Sequence, residues 1–142
     1  MQSRLIVRAD PAAMRQVDGF VAVFVKEHGI AADDAARILI LLEELLTNLA
    51  KYGYPDRAEP GVAEIVLVLN GGRLEIEFID DGCAFDPLAV PLPNFDELLE
   101  ERPVGGLGLH LLRSLADVVR YERRNNKNVI RMSRSIASTR IP

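Results

Sequence analysis

The chain has 142 residues, 49% of them apolar, and its 21 acidic and 17 basic side chains give a formal net charge of −4. That is the size of one ordinary domain, with enough apolar material for a packed core, and the negative balance argues against general nucleic-acid binding. The longest apolar run, Phe20 to Val25, falls far short of the ~20 residues needed to cross a bilayer.

The N-terminal MQSRLIVRAD has three consecutive apolar residues before charge returns, which is not the pattern of a secretory signal. The expectation is a cytoplasmic chain forming a single domain over residues 1–142, with no membrane and no direct nucleic acid among its partners. Leu5 to Arg8 reads as a short edge strand. Asp10-Pro11 then suits a helix start, with Asp as cap and Pro in the first turn, and the first helix runs from Pro11 to about His28, where Gly29 closes it. Val17, Phe20, Val21 and Phe24 form its buried side, leaving Met14, Arg15, Asp18 and Val25 elsewhere. A cap signal at Asp33 opens a second helix to about Tyr52, stopped by Gly53 and Pro55.

A hairpin follows: Ala63 to Leu69, the turn Asn70-Gly71-Gly72, and Arg73 to Asp80, alternating between two faces. Cys83 is the lone cysteine, which excludes an internal disulfide and a cysteine-based metal cluster. Pro87 to Pro103 reads as a mobile excursion, either functional or disordered, with one short helical piece, Phe95 to Glu100. After Gly105-Gly106-Leu107-Gly108 a helix reaches Ala116. Strands near Val118 to Arg124 and Val129 to Arg134, joined at Asn125-Asn126, complete a two-layer α/β sandwich of the α+β class. Its sheet is mixed but mostly antiparallel, covered by three helices on one face. From Arg113 onward eight basic residues face only Asp117 and Glu122; this is either a solvated strand face or a dock for an acidic partner.

Three segments carry polar groups that a plain core does not need. In the second helix Ile38, Leu42, Leu45 and Leu49 share one stripe, while Glu44, Asn48 and Lys51 cluster on another face and Glu43 points away. The cluster is either an exposed surface ladder or a metal-capable site. Asp80 continues the core-facing series Leu74, Ile76, Phe78. A carboxylate there must find donors, because an unpaired buried charge costs several kcal/mol; it either caps the Asp81-Gly82 turn or receives a ligand donor such as an exocyclic amino group. The glycine-rich stretch before the third helix is either a flexible turn or a phosphate cradle, since glycines and a helix start expose backbone N–H groups.

In this order the three segments resemble those of the GHKL, or Bergerat-fold, ATPases, most closely the bacterial anti-sigma factor serine kinases. The motif E-x-x-x-N matches Glu44 to Asn48, and the resemblance implies Glu44 as general base and Asn48 as the Mg²⁺ ligand, with Lys51 near the phosphates. The first glycine box is similar to Asp80-Asp81-Gly82-Cys83-Ala84-Phe85-Asp86-Pro87. It implies that Asp80 accepts from the adenine amino group and that Gly82 lets the base lie close, with Ala84 in place of a second glycine. The second box resembles Gly105-Gly106-Leu107-Gly108-Leu109, and the segment from about 87 to 104 becomes an ATP lid. His28 and His110 are read as structural.

The resemblance implies ATP and Mg²⁺ as cofactors, and sequestration of a sigma factor. It further implies phosphorylation of an anti-anti-sigma protein of the STAS type on serine, and a homodimer through the first helix and strand with Arg15 at the docking surface. Two alternatives stand beside it: a non-catalytic, ATP-gated partner-binding switch, and a stand-alone histidine-kinase-like ATPase domain.

Overall fold

Period-two alternation and two short turns set the architecture. The computed structural model describes residues 2–56, 58–89 and 116–136. Its strands are β1 (Gln2–Arg8), β2 (Val62–Asn70), β3 (Arg73–Asp80), β4 (Val118–Arg124) and β5 (Lys127–Ser135), and its helices are α1 (Ala13–His28) and α2 (Ala32–Tyr52). Sheet order is β1-β2-β3-β5-β4, and every neighbouring pair is antiparallel. The sheet read as mixed is therefore antiparallel throughout its described strands.

Both hairpin turns have two central residues in the left-handed region: Gly71 and Gly72 at φ 59° and 78°, Asn125 and Asn126 at φ 53° and 61°. This geometry matches the right-handed twist of the strands it joins. Asn70 pairs with Arg73 and so belongs to the strand, not to the turn.

The helix starts differ from expectation by a residue or two. Asp10 does not cap α1; its carboxylate accepts from Ala12 N at 3.0 Å in a local turn, because a short Asp side chain readily bonds backbone two residues on. Asp33 lies inside the first turn of α2 beside Asp34, where negative charge still favours the helix dipole. Asp34 is buried, and Arg37 and Arg134 approach it at 3.6 and 3.5 Å. Gly29, at φ 61°, closes α1 with its N–H on Val25 O.

Val17, Val21 and Phe24 of α1 and Ile38, Leu42, Leu45 and Leu49 of α2 are buried against the helix-facing side of the sheet, where Ile65, Leu67, Leu74 and Phe78 are essentially inaccessible. Each such side chain contributes about 1.5–3 kcal/mol when fully withdrawn from water. Met14 and Val25, expected away from the core, are half-buried against it, and Phe20, expected within it, is only half-buried. The reason is that α1 packs on α2 as well as on the sheet, which turns its apolar stripe. The His28 ring lies 4.4 Å from that of Phe24, tilted 48° to it.

The third helix, the 95–100 piece and the lid beyond residue 89 lie outside the described residues. Pro87–Ala89 form one 3₁₀ turn, with Pro87 buried. Asp117 ties the start of β4 to the far end of β5: its N–H reaches Ser133 O at 2.8 Å and its carboxylate accepts from Ser135 N at 2.9 Å. Among the described residues no helix is long and apolar enough to cross a membrane.

Candidate functional site

Two strands end their core-facing series in a polar residue, and the two residues are register partners. β3 runs Leu74, Ile76, Phe78 and then Asp80, 6% exposed; β5 carries Met132, Ile130 and then Asn128, 2% exposed. Asp80 Oδ1 accepts from Gly82 N and from Asn128 Nδ2, both at 2.9 Å. Asn128 Nδ2 also donates to Cys83 O at 2.8 Å, while its Oδ1 accepts from Phe85 N at 3.2 Å and from Tyr121 Oη at 2.6 Å. Arg123 Nη1 donates to Gly82 O at 2.8 Å. Burial pushes the Asp80 carboxyl above its ordinary value; the bonds from Asn128 and Gly82 oppose that shift, the Asp81 charge adds to it and the Arg123 charge lowers it. Both bonds to Asp80 end on Oδ1, so Oδ2 keeps its lone pairs among the described residues.

The segment after β3 is pressed onto the end of α2. A β-carbon on Gly82 would sit 2.8 Å from Leu49 Cδ1, and 3.1 Å from both Asp80 Oδ1 and Gly53 O, so any other residue would have to displace the Leu49 side chain and press on the Asp80 carboxylate and the Gly53 carbonyl. Cys83 N donates to Gly53 O at 2.8 Å. Asp81 Oδ1 accepts from Tyr54 Oη and from Val62 N, fastening the same segment to the start of β2.

From α2, Asn48 enters the same pocket as Asp80, Cys83, Phe85 and Asn128, between apolar walls that include Leu45, Leu49 and Phe78. Asn48 is 9% exposed, and its Nδ2 donates to Glu44 Oε1 at 3.0 Å, one turn earlier on a half-buried side chain. That bond fixes the amide and, among the described residues, leaves Asn48 Oδ1 as an open acceptor. Glu44 and Asn48 are thus brought together as a pair. Lys51 is not: it is exposed and has no ion pair with them among the described residues. Glu43 is exposed, as its position on the helix implied. Ala84 is exposed beside the pocket, and Arg15 is exposed on α1, on a different element. Gly105, Gly106, Leu107, Gly108 and Leu109 lie outside the described residues.

The chemistry of this arrangement is specific. An apolar slot with one buried carboxylate oxygen free suits a flat heteroaromatic ring bearing an amino donor. Asn48 Oδ1 suits a hard cation, which takes oxygen ligands. Among the described residues no cluster of three His, Cys, Asp or Glu is placed to hold a metal, so a cation at Asn48 would need further oxygens from its own ligand, as Mg²⁺ on a triphosphate does. The donor set thus fits Mg–ATP.

Asn128, with Tyr121 and Arg123, escaped the sequence reading as site residues. The signal was present, because Asn128 continues Ile130 and Met132 just as Asp80 continues Phe78. What the sequence lacks is the register that sets the two side by side across β3 and β5.

A model of the histidine kinase-like ATPase domain family matches residues 7–134. The serine-protein kinase RsbW of Bacillus thuringiensis is 33% identical over 93 residues, covering 63% of this chain and 57% of its own length, and that of Bacillus anthracis is 34% identical over the same extent. The match therefore spans little more than half of those kinases. Among solved structures, the RsbU and RsbW domains of a Mycobacterium tuberculosis protein superpose with a TM-score of 0.67 at 18% identity, covering 96% of this chain and 32% of that one. The histidine kinase domain of the blue-light activated histidine kinase of Erythrobacter litoralis gives a TM-score of 0.53 at 18% identity, covering 92% and 62%. These two likenesses establish the fold.

Proposed function

The chain belongs to the histidine kinase-like ATPase domain family, and from that premise we propose that it is an ATP-dependent protein serine kinase. In this reading it sequesters a sigma factor and phosphorylates a small anti-anti-sigma protein of the STAS type. The observation that carries the proposal is the Glu44–Asn48 pair, bonded at 3.0 Å, whose Asn48 lines the pocket that holds Asp80. The RsbW serine-protein kinases, similar over part of their length, support the substrate class.

In this reading Asp80 Oδ2 accepts from the adenine amino group, and the apolar walls exclude water from the base. Asn48 Oδ1 is the protein ligand for Mg²⁺, which when bound offsets triphosphate charge. Glu44 takes the proton from the serine hydroxyl as its Oγ bonds to the γ-phosphorus and the bond from that phosphorus to the β–γ bridging oxygen breaks, releasing ADP. Lys51 and residues 105–109 attend the phosphates, and the lid of about 87–104 covers them. A homodimer forms through β1, an edge of the sheet among the described residues, where another strand can add, and Arg15 lies at the partner-docking surface.

One observation favours a second reading, a non-catalytic ATP-gated binding switch: Glu44 Oε1 is already committed to Asn48. A single assay separates the two. Incubation with labelled ATP and a candidate antagonist from the neighbouring coding region is expected to yield phosphoserine. ATP binding with no phosphoserine would identify the switch, and no ATP binding would remove both readings.

A further inference from the structure

Asn128 is the least exposed of the buried polar side chains among the described residues, at 2%, and its amide is spent entirely inside the protein. Two N–H bonds go out, to Asp80 Oδ1 at 2.9 Å and Cys83 O at 2.8 Å; two come in to Oδ1, from Phe85 N at 3.2 Å and Tyr121 Oη at 2.6 Å. Four bonds exhaust what an asparagine side chain offers. Although Asn128 lines the pocket, it has nothing left to give a ligand.

Its orientation is also fixed. Turning the amide over would set its NH₂ against the Phe85 N–H and its carbonyl against the Asp80 carboxylate, replacing attractive contacts with donor–donor and acceptor–acceptor ones. We propose that Asn128 is the positioning residue that sets base selectivity, favouring a 6-amino over a 6-oxo purine by occupying Asp80 Oδ1, so that Oδ2 is the acceptor left for the base. The inference rests on the nucleotide reading above. An acceptor with no proton to give rewards an amino group and rejects a carbonyl, and Tyr121, by holding the amide, shares the role at one remove.

Asn128→Asp tests this directly. It sets a second carboxylate against Asp80, and two carboxylates at that distance do not both ionise freely. When they share one proton, the introduced carboxyl regains a donor toward Asp80 and the arrangement returns; when both are ionised it is lost. Other titratable or charged groups around Asp80 are Asp81 after β3, the Cys83 thiol in the following segment, Glu64 on β2, Lys127 on β5, Tyr121 and Arg123 on β4, and Tyr52 on α2. All are common to wild type and variant, so the comparison cancels them.

The expected result, by calorimetric titration at about pH 6 and about pH 7.5, is that Asn128→Asp loses ATP affinity at least ~10-fold more steeply with rising pH than wild type does. Tyr121→Phe, which removes one hydroxyl, is expected to lower the ATP-over-GTP preference about 3–10-fold, the scale of one hydrogen bond. If Asn128→Asp does not fold, Tyr121→Phe alone decides, and an unchanged preference overturns the proposal. If it folds and its affinity follows the wild-type pH profile, the positioning role is wrong while the nucleotide site stands. Failure of the wild-type chain to bind ATP at either pH overturns the nucleotide reading and this one with it.

Discussion

Asp80→Asn keeps the shape of the side chain and reverses one polar group. Gly82 N and Asn128 Nδ2 both donate to Oδ1, so the introduced amide must place its oxygen there and its NH₂ where Oδ2 now stands. A bond from an amino group to a carboxylate is worth about 1.5–3 kcal/mol, and an amide hydrogen left facing that donor adds about 1–3 kcal/mol of unmet desolvation. The sum predicts a loss of ATP affinity of roughly 10² to 10⁴-fold, whereas the 6-oxo group of GTP, an acceptor, meets the new donor and loses nothing. Stability moves the other way. Burial raises the Asp80 carboxyl above its ordinary value, so the group's contribution to stability is full below the unfolded value of ~3.9 and is lost as pH rises through the folded one. Ionised Asp80 therefore costs stability at neutral pH, and Asp80→Asn raises the melting temperature at about pH 7 by more than at about pH 4. Calorimetric titration with each nucleotide and melting curves of both chains measure these effects. Unchanged ATP affinity, or a melting gain equal at the two pH values, refutes the reasoning.

Other expected outcomes concern the helix pair and the glycine. Glu44→Gln keeps ATP affinity near wild type and slows phosphotransfer by ~10²-fold or more, measured as the rate of phosphoserine formation; Glu43→Gln, on the exposed face, is the control and leaves the rate unchanged. Asn48→Ala abolishes the magnesium-dependent part of ATP binding while circular dichroism stays that of the wild type; full magnesium-dependent binding sinks the ligand assignment. Gly82→Ala forces a β-carbon to 2.8 Å from Leu49 Cδ1. Overpacking of that kind costs about 1–3 kcal/mol, or roughly 2–4 °C of melting temperature per kcal/mol at this chain size, and a melting temperature equal to wild type contradicts it.

What the sequence disclosed and what it withheld divide along physical lines. Alternation and helical stripes located the five strands and two helices of the described residues, because burial on one face imposes its period locally. Asp80 was legible for the same reason: a charge in a core-facing series demands donors, and Asn128 and Gly82 supply them. The pairing of Glu44 with Asn48 followed from helical spacing, but Lys51, spaced just as well, turns to solvent, since spacing fixes direction around a helix and not the contacts of a long, flexible side chain. Asn128 stayed hidden because its meaning comes from the β3–β5 register, a non-local fact. The helix caps were misplaced because Asp10 and Asp33 satisfy local backbone or dipole needs equally well one turn position away.

The connection between β3 and β4, residues 81–117, is anchored to β5 at each of its described ends. At one end Asp80 and the Gly82–Phe85 segment are bonded to Asn128, and at the other Asp117 is bonded to Ser133 and Ser135, near the opposite end of β5. Eight register pairs hold β3 to β5 between these anchors. Closing such a connection costs entropy that grows only with the logarithm of its length, so doubling it adds only about 0.6 kcal/mol. The sheet therefore acts as a chassis that fixes where this connection leaves and where it returns. The exit and re-entry points are thus set by pairing within the sheet, at opposite ends of the same two strands.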